Sequence, residues 1–257
     1  MEGDAQVFDF SFGQTSGVIA SVLKGGKASS YGKLMVENEA LYASYSDSYI
    51  NAPFYTNHDM GRSAGYYPGE DGEAMTKMGN AMNILMTGNV FVYYGEELGM
   101  KGSGKDENKR APMYWTADAD AEGMCNGPAD METVNHKFAS LEEQAQDESS
   151  IYNYVKDAIL LRNQNPAIAR GAVTYYEAYS GDQICVISKA YEGTELLLIL
   201  NTTNTAATVD LSGLTIQDTD AAALSVVGEL LTGEEEAAMD GATITMPAFS
   251  ILVLGVA

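Results

Sequence analysis

Basic residues are scarce in this sequence, in which 14 Lys and Arg stand against 36 Asp and Glu for a formal net charge of −22. Such a charge repels phosphate groups and anionic lipid surfaces, so we expect no nucleic-acid partner and no membrane partner. The chain also has no run of 18 apolar residues, and its first residues lack the basic start and apolar core of a signal peptide. A hydrophobic content of 46% nevertheless predicts a folded, globular protein.

Cysteine is nearly lacking as well, with Cys125 and Cys185 far apart in the chain and no Cys-x-x-Cys pair. This excludes the usual zinc spacings and predicts two buried thiols. Alternating carboxylates at Asp118, Asp120 and Glu122 could bind calcium, but they lack the glycine and the distal Glu of an EF-hand loop. We therefore expect a solvated acidic loop and predict no cofactor, with calcium as the open alternative.

The chain divides near Arg170 into two modules of different pattern. Residues 1–170 alternate apolar runs at 7–12, 54–57 and 90–94 with helical patterns at 33–42, 73–86 and 149–164. Strands that alternate with helices predict an α/β fold with a parallel sheet, in which the run at 90–94 would be a buried strand. Three such units cannot close a sheet into a barrel.

Residues 171–257 carry a single basic residue, Lys189, against 12 acidic ones. Short β-type runs separated by turn residues lie at 172–179, 183–191, 195–200, 206–211, 224–231, 242–246 and 250–256. Seven runs at this spacing predict an all-β module, an antiparallel β-sandwich.

Polar side chains follow two of the predicted parallel strands. Asn57, His58 and Asp59 end the run that starts at residue 54, and Tyr94 ends the next one, just before Glu96. In a parallel α/β barrel the catalytic groups lie where strands end and loops begin. An Asn-His-Asp segment taken alone could equally be a turn.

Four ordered motifs resemble the α-amylase family, the family-13 glycoside hydrolases. Residues 54–59 (FYTNHD) resemble its motif at the end of barrel strand seven, and residues 88–97 (GNVFVYYGEE) resemble its strand-eight motif, with Val90 where proline is usual. Residues 106–115 (DENKRAPMYW) resemble a loop of the oligosaccharide-active branches, and residues 7–10 fit strand six. The resemblance implies a partial (β/α)8 TIM barrel, strands six to eight with their helices, over residues 1–170, followed by the β-sandwich domain over residues 171–257.

The resemblance also implies roles for individual residues. Asp59 would stabilise the transition state through hydrogen bonds to two sugar hydroxyls, and His58 would donate to a neighbouring hydroxyl. The other implied substrate-binding residues are Asn57, Arg62, Tyr94 and Arg110. For Arg62 the alternative is an ion pair with Glu70 or Asp71. Tyr114 and Trp115 could form a sugar-stacking platform, but a sole Trp is more often part of a core.

Catalysis by a retaining glycosidase needs two carboxyl groups about 5 Å apart. In the family these follow strands four and five, and no matching segment occurs in this sequence. We therefore expect part of an enzyme that, at full length, hydrolyses α-glucosidic bonds of starch or maltooligosaccharides, while the isolated chain is inactive. The alternatives are a non-catalytic carbohydrate-binding or partner protein, and a chain whose Met1 is an internal residue. We also expect self-association through open barrel edges and an extracellular or cell-surface location for the full-length protein.

Overall fold

The computed structural model describes residues 6–256, with side chains from Phe8 onward. Its first part contains two parallel strands, β1 (Gln6–Asp9) and β2 (Ile50–Pro53), paired from Gln6 opposite Ile50 to Asp9 opposite Pro53. The helices are α1 (Val18–Leu23), α2 (Ser29–Ala43), α3 (Gly72–Ile84), α4 (Asp106–Lys109), α5 (Leu141–Gln144), α6 (Ile151–Gln164) and α7 (Pro166–Arg170). None of the helices in this described range is long and apolar enough to cross a membrane.

The predicted strand at residues 54–57 is wrong, because β2 lies four residues earlier. Its sequence, Ile-Asn-Ala-Pro, contains two poor strand formers, so the β pattern is weak where the strand forms. The pairing with β1 ends at Pro53, and the carbonyl of Tyr55 accepts a hydrogen bond from the amide of Gln14 in the loop that follows β1. The predicted strand at 7–12 is likewise shorter, ending at Asp9, and the side chain of Val7 lies outside the described residues.

The predicted buried strand at residues 90–94 is also wrong, since only a single parallel bridge joins Phe91 to Phe54. The segment runs beside β2, with the amides of Asn89 and Phe91 donating to the carbonyls of Asn51 and Pro53. The carbonyl of Phe91 accepts from the side chain of Asn83 on α3 instead of from a further strand. The pairing of this segment with the β2 side is therefore limited to one bridge, and no regular strand forms.

An apolar surface, here called the open face, is formed by Phe8, Phe10, Phe91 and Val92. These side chains are 57%, 57%, 46% and 40% exposed, respectively. The rings of Phe8 and Phe91 are 5.2 Å apart, so they cluster although solvent reaches them. Strands of a parallel sheet are normally covered on both faces, and a cluster of this kind is typical of a surface that packs against other protein.

The second part of the chain is antiparallel. Its strands are β3 (Ala172–Tyr175), β4 (Ile184–Tyr191), β5 (Thr194–Asn201), β6 (Ala207–Asp210), β7 (Thr215–Ile216), β8 (Thr219–Asp220), β9 (Ser225–Leu231), β10 (Ala238–Asp240), β11 (Thr243–Met246) and β12 (Ser250–Gly255). They form a five-stranded sheet in the order β3-β4-β5-β12-β9, a three-stranded sheet in the order β10-β11-β6, and the β7-β8 hairpin. The two larger sheets share a core that includes Val186, Ile199 and Ile244.

The seven predicted runs differ from these strands in two respects. The run at 172–179 ends as a strand at Tyr175 and continues into a short 3-10 helix, Glu177–Tyr179. The short strands β7, β8 and β10 were not predicted, because two or three residues are too few to show a period of two.

The five-stranded sheet also packs its other face against the helices of the first part. Gly32 on α2 lies so close that a Cβ atom there would be 2.8 Å from the sulfur of Cys185 and 2.8 Å from Ile187 on β4. Cys185 is buried in this contact, as predicted, whereas the prediction that Cys125 is buried is wrong, since that thiol is exposed in a loop. The two parts are therefore joined by a continuous apolar core.

Candidate functional site

Asn57, His58 and Asp59 lie just beyond the carboxyl end of β2. The side-chain oxygen of Asn57 accepts a hydrogen bond from the amide of Asp59 at 2.8 Å, which is an Asx-type turn. The turn interpretation is therefore confirmed, and the turn leaves the Asp59 side chain exposed to solvent. Parallel strands place their loops at one edge of the sheet, where ligands of such folds bind.

The carboxylate of Asp59 is exposed and lies beside an imidazole and a guanidinium group. Its side chain is 69% exposed, with Oδ1 3.3 Å from Nε2 of His58 and 3.7 Å from Nη2 of Arg110. Nζ of Lys109 donates to the backbone carbonyl of Asp59 at 2.9 Å and so anchors the loop. Asp59, His58 and Arg110, three of the predicted site residues, thus lie together, and all three side chains are at least partly exposed to solvent.

Arg62 takes a different position from either prediction. It is buried, and no ion pair with Glu70 or Asp71 forms within the described residues. Its Nε donates to the carbonyl of Tyr94 at 3.0 Å and its Nη1 to that of Lys101 at 3.3 Å. Arg62 therefore ties the loop that follows β2 to the segment that follows Phe91.

The guanidinium of Arg62 also lies over two aromatic rings, at 5.0 Å from Tyr93 and 4.7 Å from Tyr94. Cation–π contacts of this kind hold the rings in place. The Nη2 atom is buried without a hydrogen-bond partner. Burial, together with the neighbouring Tyr94, raises the pKa of Tyr93 to about 12, so that this phenol stays neutral.

Glu96 is a site residue that the sequence reasoning did not single out. It begins a short 3-10 helix, Glu96–Leu98, directly after Gly95, whose φ of +85° favours glycine. Its buried carboxylate accepts from Oγ1 of Thr56 at 2.6 Å, from the amide of Ser63 at 3.0 Å, and from the Ser63 hydroxyl.

Burial raises the pKa of Glu96, while the bonds from Ser63 and Thr56 oppose that shift. Thr56 and Ser63 flank the Asn-His-Asp segment, so Glu96 holds both ends of the loop that carries Asp59. In the sequence, only the position of Glu96 at the end of the strand-eight motif marks it as a candidate site residue. No sequence pattern shows that its hydrogen-bond donors come from the loop that carries Asp59.

The aromatic groups near this edge are partly accessible. Tyr94 is partly exposed, and its hydroxyl donates to the carbonyl of Ala111 at 2.9 Å, which holds the loop that carries Arg110. Trp115 is 49% exposed, so the core interpretation of this residue is wrong. Tyr114 stacks on His136 with ring centroids 3.6 Å apart.

The acidic loop at residues 118–122 shows no cation site. Oδ1 of Asp118 accepts from the amide of Asp120 at 3.0 Å, as in an ordinary turn. Over residues 6–256, no group of three or more His, Cys, Asp or Glu side chains is arranged to hold a metal ion.

Known proteins of one family are similar to this chain. The family described as the catalytic domain of alpha amylase matches residues 9–171. The chain is 28% identical to an alpha-amylase of Streptomyces lividans, over 96% of this chain and 26% of that protein. It is 29% identical to a probable oligo-1,6-glucosidase 3 of Bacillus subtilis, over 68% of this chain and 38% of that protein.

Among solved structures, Amy13B of Eubacterium rectale superposes with a TM-score of 0.93 at 44% identity, over 98% of this chain and 48% of that one. The chain thus spans between a quarter and a half of the length of these relatives. The matched region contains the Asp59 site, Glu96 and the loop that carries Arg110. The chain belongs to the α-amylase family of glycoside hydrolases.

Proposed function

We propose that this chain is the later part of an α-amylase-like glycoside hydrolase that, at full length, cleaves α-glucosidic bonds in starch or maltooligosaccharides. The observation that carries the proposal is the Asp59 carboxylate, exposed at the end of β2 with His58 and Arg110 beside it. Asp59 would accept hydrogen bonds from two adjacent hydroxyls of one sugar ring. The names of the relatives, amylase and oligo-1,6-glucosidase, support an α-glucan as the substrate.

In this proposal Asp59 strengthens its hydrogen bonds as the ring approaches an oxocarbenium ion, which contributes several kcal/mol to transition-state binding. The reaction would be a retaining one, with a nucleophilic carboxylate and a carboxylic acid about 5 Å apart. Glu96 and Glu97 are poor candidates for that pair. Glu96 is buried with both oxygens occupied, and both residues belong to the strand-eight motif, whereas the family has its catalytic pair after strands four and five.

The open face supports the view that the chain supplies strands six to eight of a barrel. Phe8, Phe10, Phe91 and Val92 expose apolar surface where further strands of a barrel would lie. We therefore propose that the other half of the barrel, whether covalently linked or separate, covers this face and brings the nucleophile and the acid. Polymeric substrates would place the full-length protein outside the cell or at its surface.

The test combines the isolated chain with a separately expressed first half of a related barrel. The chain alone should not hydrolyse an activated maltoside, and the mixture should do so. Asp59→Asn should abolish that activity, whereas Asp118→Asn, which removes the same charge in a distant loop, should leave it unchanged. Turnover by the isolated chain that survives Asp59→Asn would contradict the proposal.

The exposure of Trp115 favours the second candidate, a carbohydrate-binding protein without hydrolysis. An exposed indole can stack on a pyranose face. Maltoheptaose binding by the isolated chain that is lost in Trp115→Ala, with no activity in the mixture of halves, would favour this candidate over the first.

A further inference from the structure

The long loop between α4 and α5 contains an exposed Asn-Gly pair, Asn126-Gly127. It is the one place in the sequence where glycine follows asparagine. The side chain of Asn126 is exposed, and residues 124–128 form neither helix nor strand. The pair therefore combines an accessible side-chain amide with a neighbouring backbone nitrogen that carries no bulky residue.

Such a pair has a chemistry of its own. The backbone nitrogen of the glycine can attack the side-chain carbonyl carbon of the asparagine, and the new C–N bond closes a five-membered succinimide while the side-chain nitrogen leaves as ammonia. Water then adds to one of the two ring carbonyl carbons and opens the ring to aspartate or to isoaspartate. One water molecule is consumed and one ammonia is released, so the conversion needs no oxidant, reductant or cofactor.

The backbone nitrogen of Gly127 is free to react. Glycine has no Cβ atom to shield it. No backbone hydrogen bond involves residues 125–127 within the described range 6–256, and the amides of Met124 and Met131 are the donors on either side. Because no helix or sheet holds this segment, rotation about the backbone of Asn126 can bring the nitrogen to the side-chain carbon.

Two other exposed asparagines of the described structure lack this freedom. Asn204 is followed by Thr205, whose branched Cβ crowds the backbone nitrogen. Asn135 is followed by His136, whose ring is held in an aromatic stack with centroids 3.6 Å apart. Of these three, we therefore expect ring closure at Asn126.

The pair also lies against the loop that carries Arg110. A Cβ atom on Gly127 would be 2.5 Å from the sulfur of Met131 and 3.4 Å from Cδ of Pro112, so the glycine packs closely on both. Met131 in turn packs on a small apolar cluster that includes Ala111. Isoaspartate lengthens the main chain by one carbon atom and adds a carboxylate, so this packing cannot persist unchanged after the conversion.

We propose that Asn126 is a site of spontaneous deamidation through a succinimide with the nitrogen of Gly127, and that the isoaspartate formed there loosens the loop that carries Arg110. The change is irreversible in water, since the released ammonia is lost to solvent. The proposal does not rest on glucan hydrolysis, because the ring closure uses only this loop and water.

The first test is incubation of the full chain at 37 °C, at pH 6 and at pH 8, followed by tryptic peptide mapping with a fragmentation method that separates isoaspartate from aspartate. Asn126 should convert to both products, faster at pH 8 because the attacking nitrogen must lose its proton. Asn135 lies in the same tryptic peptide, residues 111–137, and should keep its amide. Asn126→Gln keeps an amide but would have to close a six-membered ring, so conversion at this position should be lost.

A synthetic peptide of residues 122–130 in the same buffers shows what the unfolded segment does. Conversion in the peptide with none in the folded chain would mean that the fold protects the pair, and the proposal would be overturned. Aspartate without isoaspartate would overturn it as well, because ring opening yields both.

The second test is hydrogen exchange of the amides of Ala111 and Met113. These amides should exchange faster in the aged wild type than in fresh protein, and equally in aged and fresh Asn126→Gln, which controls for other effects of ageing. Equal exchange in aged and fresh wild type would overturn the loosening of the Arg110 loop. Thermal unfolding of each sample verifies that it is folded.

Discussion

Lys189, the only basic residue of the second module, is buried where the two parts of the chain meet. Its Nζ donates to the carbonyl of Leu85 at 2.5 Å, to that of Ile168 at 3.0 Å and to Oγ1 of Thr87 at 3.2 Å. Leu85 follows the last residue of α3 and Ile168 lies in α7, so one ammonium group on β4 caps two helices. We predict that Lys189→Met destabilises the protein by an amount that increases with pH.

The magnitude follows from two opposing effects. Lys189→Met leaves two buried carbonyl oxygens without donors, at a cost of about 1–3 kcal/mol each. The same change removes a buried charge. Burial lowers the pKa of Lys189 from 10.5 to about 7, which corresponds to about 5 kcal/mol against the charged form. At pH 7 and below the two effects largely cancel, so the variant should be destabilised little.

Above pH 7 the balance changes. Lys189 has lost its proton in the folded protein, whereas in the unfolded chain it keeps that proton up to about pH 10.4. Because the unfolded state binds the additional proton, the wild type becomes more stable as pH rises. Between pH 7 and pH 9 this gain is about 2–3 kcal/mol, and the methionine variant lacks it. The neutral amine still donates to the carbonyls. The destabilisation caused by Lys189→Met should therefore grow by about 2–3 kcal/mol over this range.

The assay is urea unfolding of both proteins at pH 7, 8 and 9, with free energies from linear extrapolation. Lys33→Met is the matched control, since Lys33 is exposed. The difference in free energy of unfolding between this variant and the wild type should not vary with pH in this range. A difference between Lys189→Met and the wild type that stays constant from pH 7 to pH 9 would refute the reasoning. It would mean that Lys189 keeps its proton in the folded state.

Three further predictions follow from the packing and the open face. Gly32→Ala should lower the free energy of unfolding by about 1–3 kcal/mol, measured by urea unfolding, because the new methyl group would meet Cys185 and Ile187; an unchanged value would show that the two parts are not closely packed there. Glu96→Gln should speed hydrogen exchange of the amides in residues 56–63, because Glu96 accepts two bonds from hydroxyls and one from an amide, and the side-chain nitrogen of Gln accepts none; equal exchange would contradict its role in holding that loop. Sedimentation at 0.15 M salt should show self-association of the wild type, and the double variant Phe8→Ser with Phe10→Ser should associate less. The reason is that salt screens the repulsion between the acidic chains beyond about 8 Å, so charge does not prevent contact between open faces; a monodisperse wild-type monomer would contradict this prediction.

The three longest helices were predictable because their signals are local, whereas the short helices α1, α4, α5 and α7 were not predicted. The structure has α2, α3 and α6 within a few residues of the predicted bounds, and α6 begins after Ser150, whose hydroxyl accepts from the amide of Asn153 as an N-cap. The longer antiparallel strands were predicted for the same reason, since alternation with turn residues marks each one. Of the two parallel strands, β1 was predicted with an end that is too late, and β2 was missed because Ile50–Pro53 contains Asn and Pro and forms a strand only by pairing with β1.

For the site, the sequence alone determined the residue types and their order: the Asn57–Asp59 segment, Arg110 in its loop, and the family that these motifs indicate. It also determined the excess of acid and the single lysine of the second module. Only the tertiary structure decided which groups meet: that Arg62 is buried against Tyr94 rather than paired with an acid, that Glu96 holds the loop of Asp59, and that Lys189 caps two helices. Such contacts join residues 32 to 104 positions apart. No local pattern of side chains encodes them, because they depend on how the helices and sheets pack.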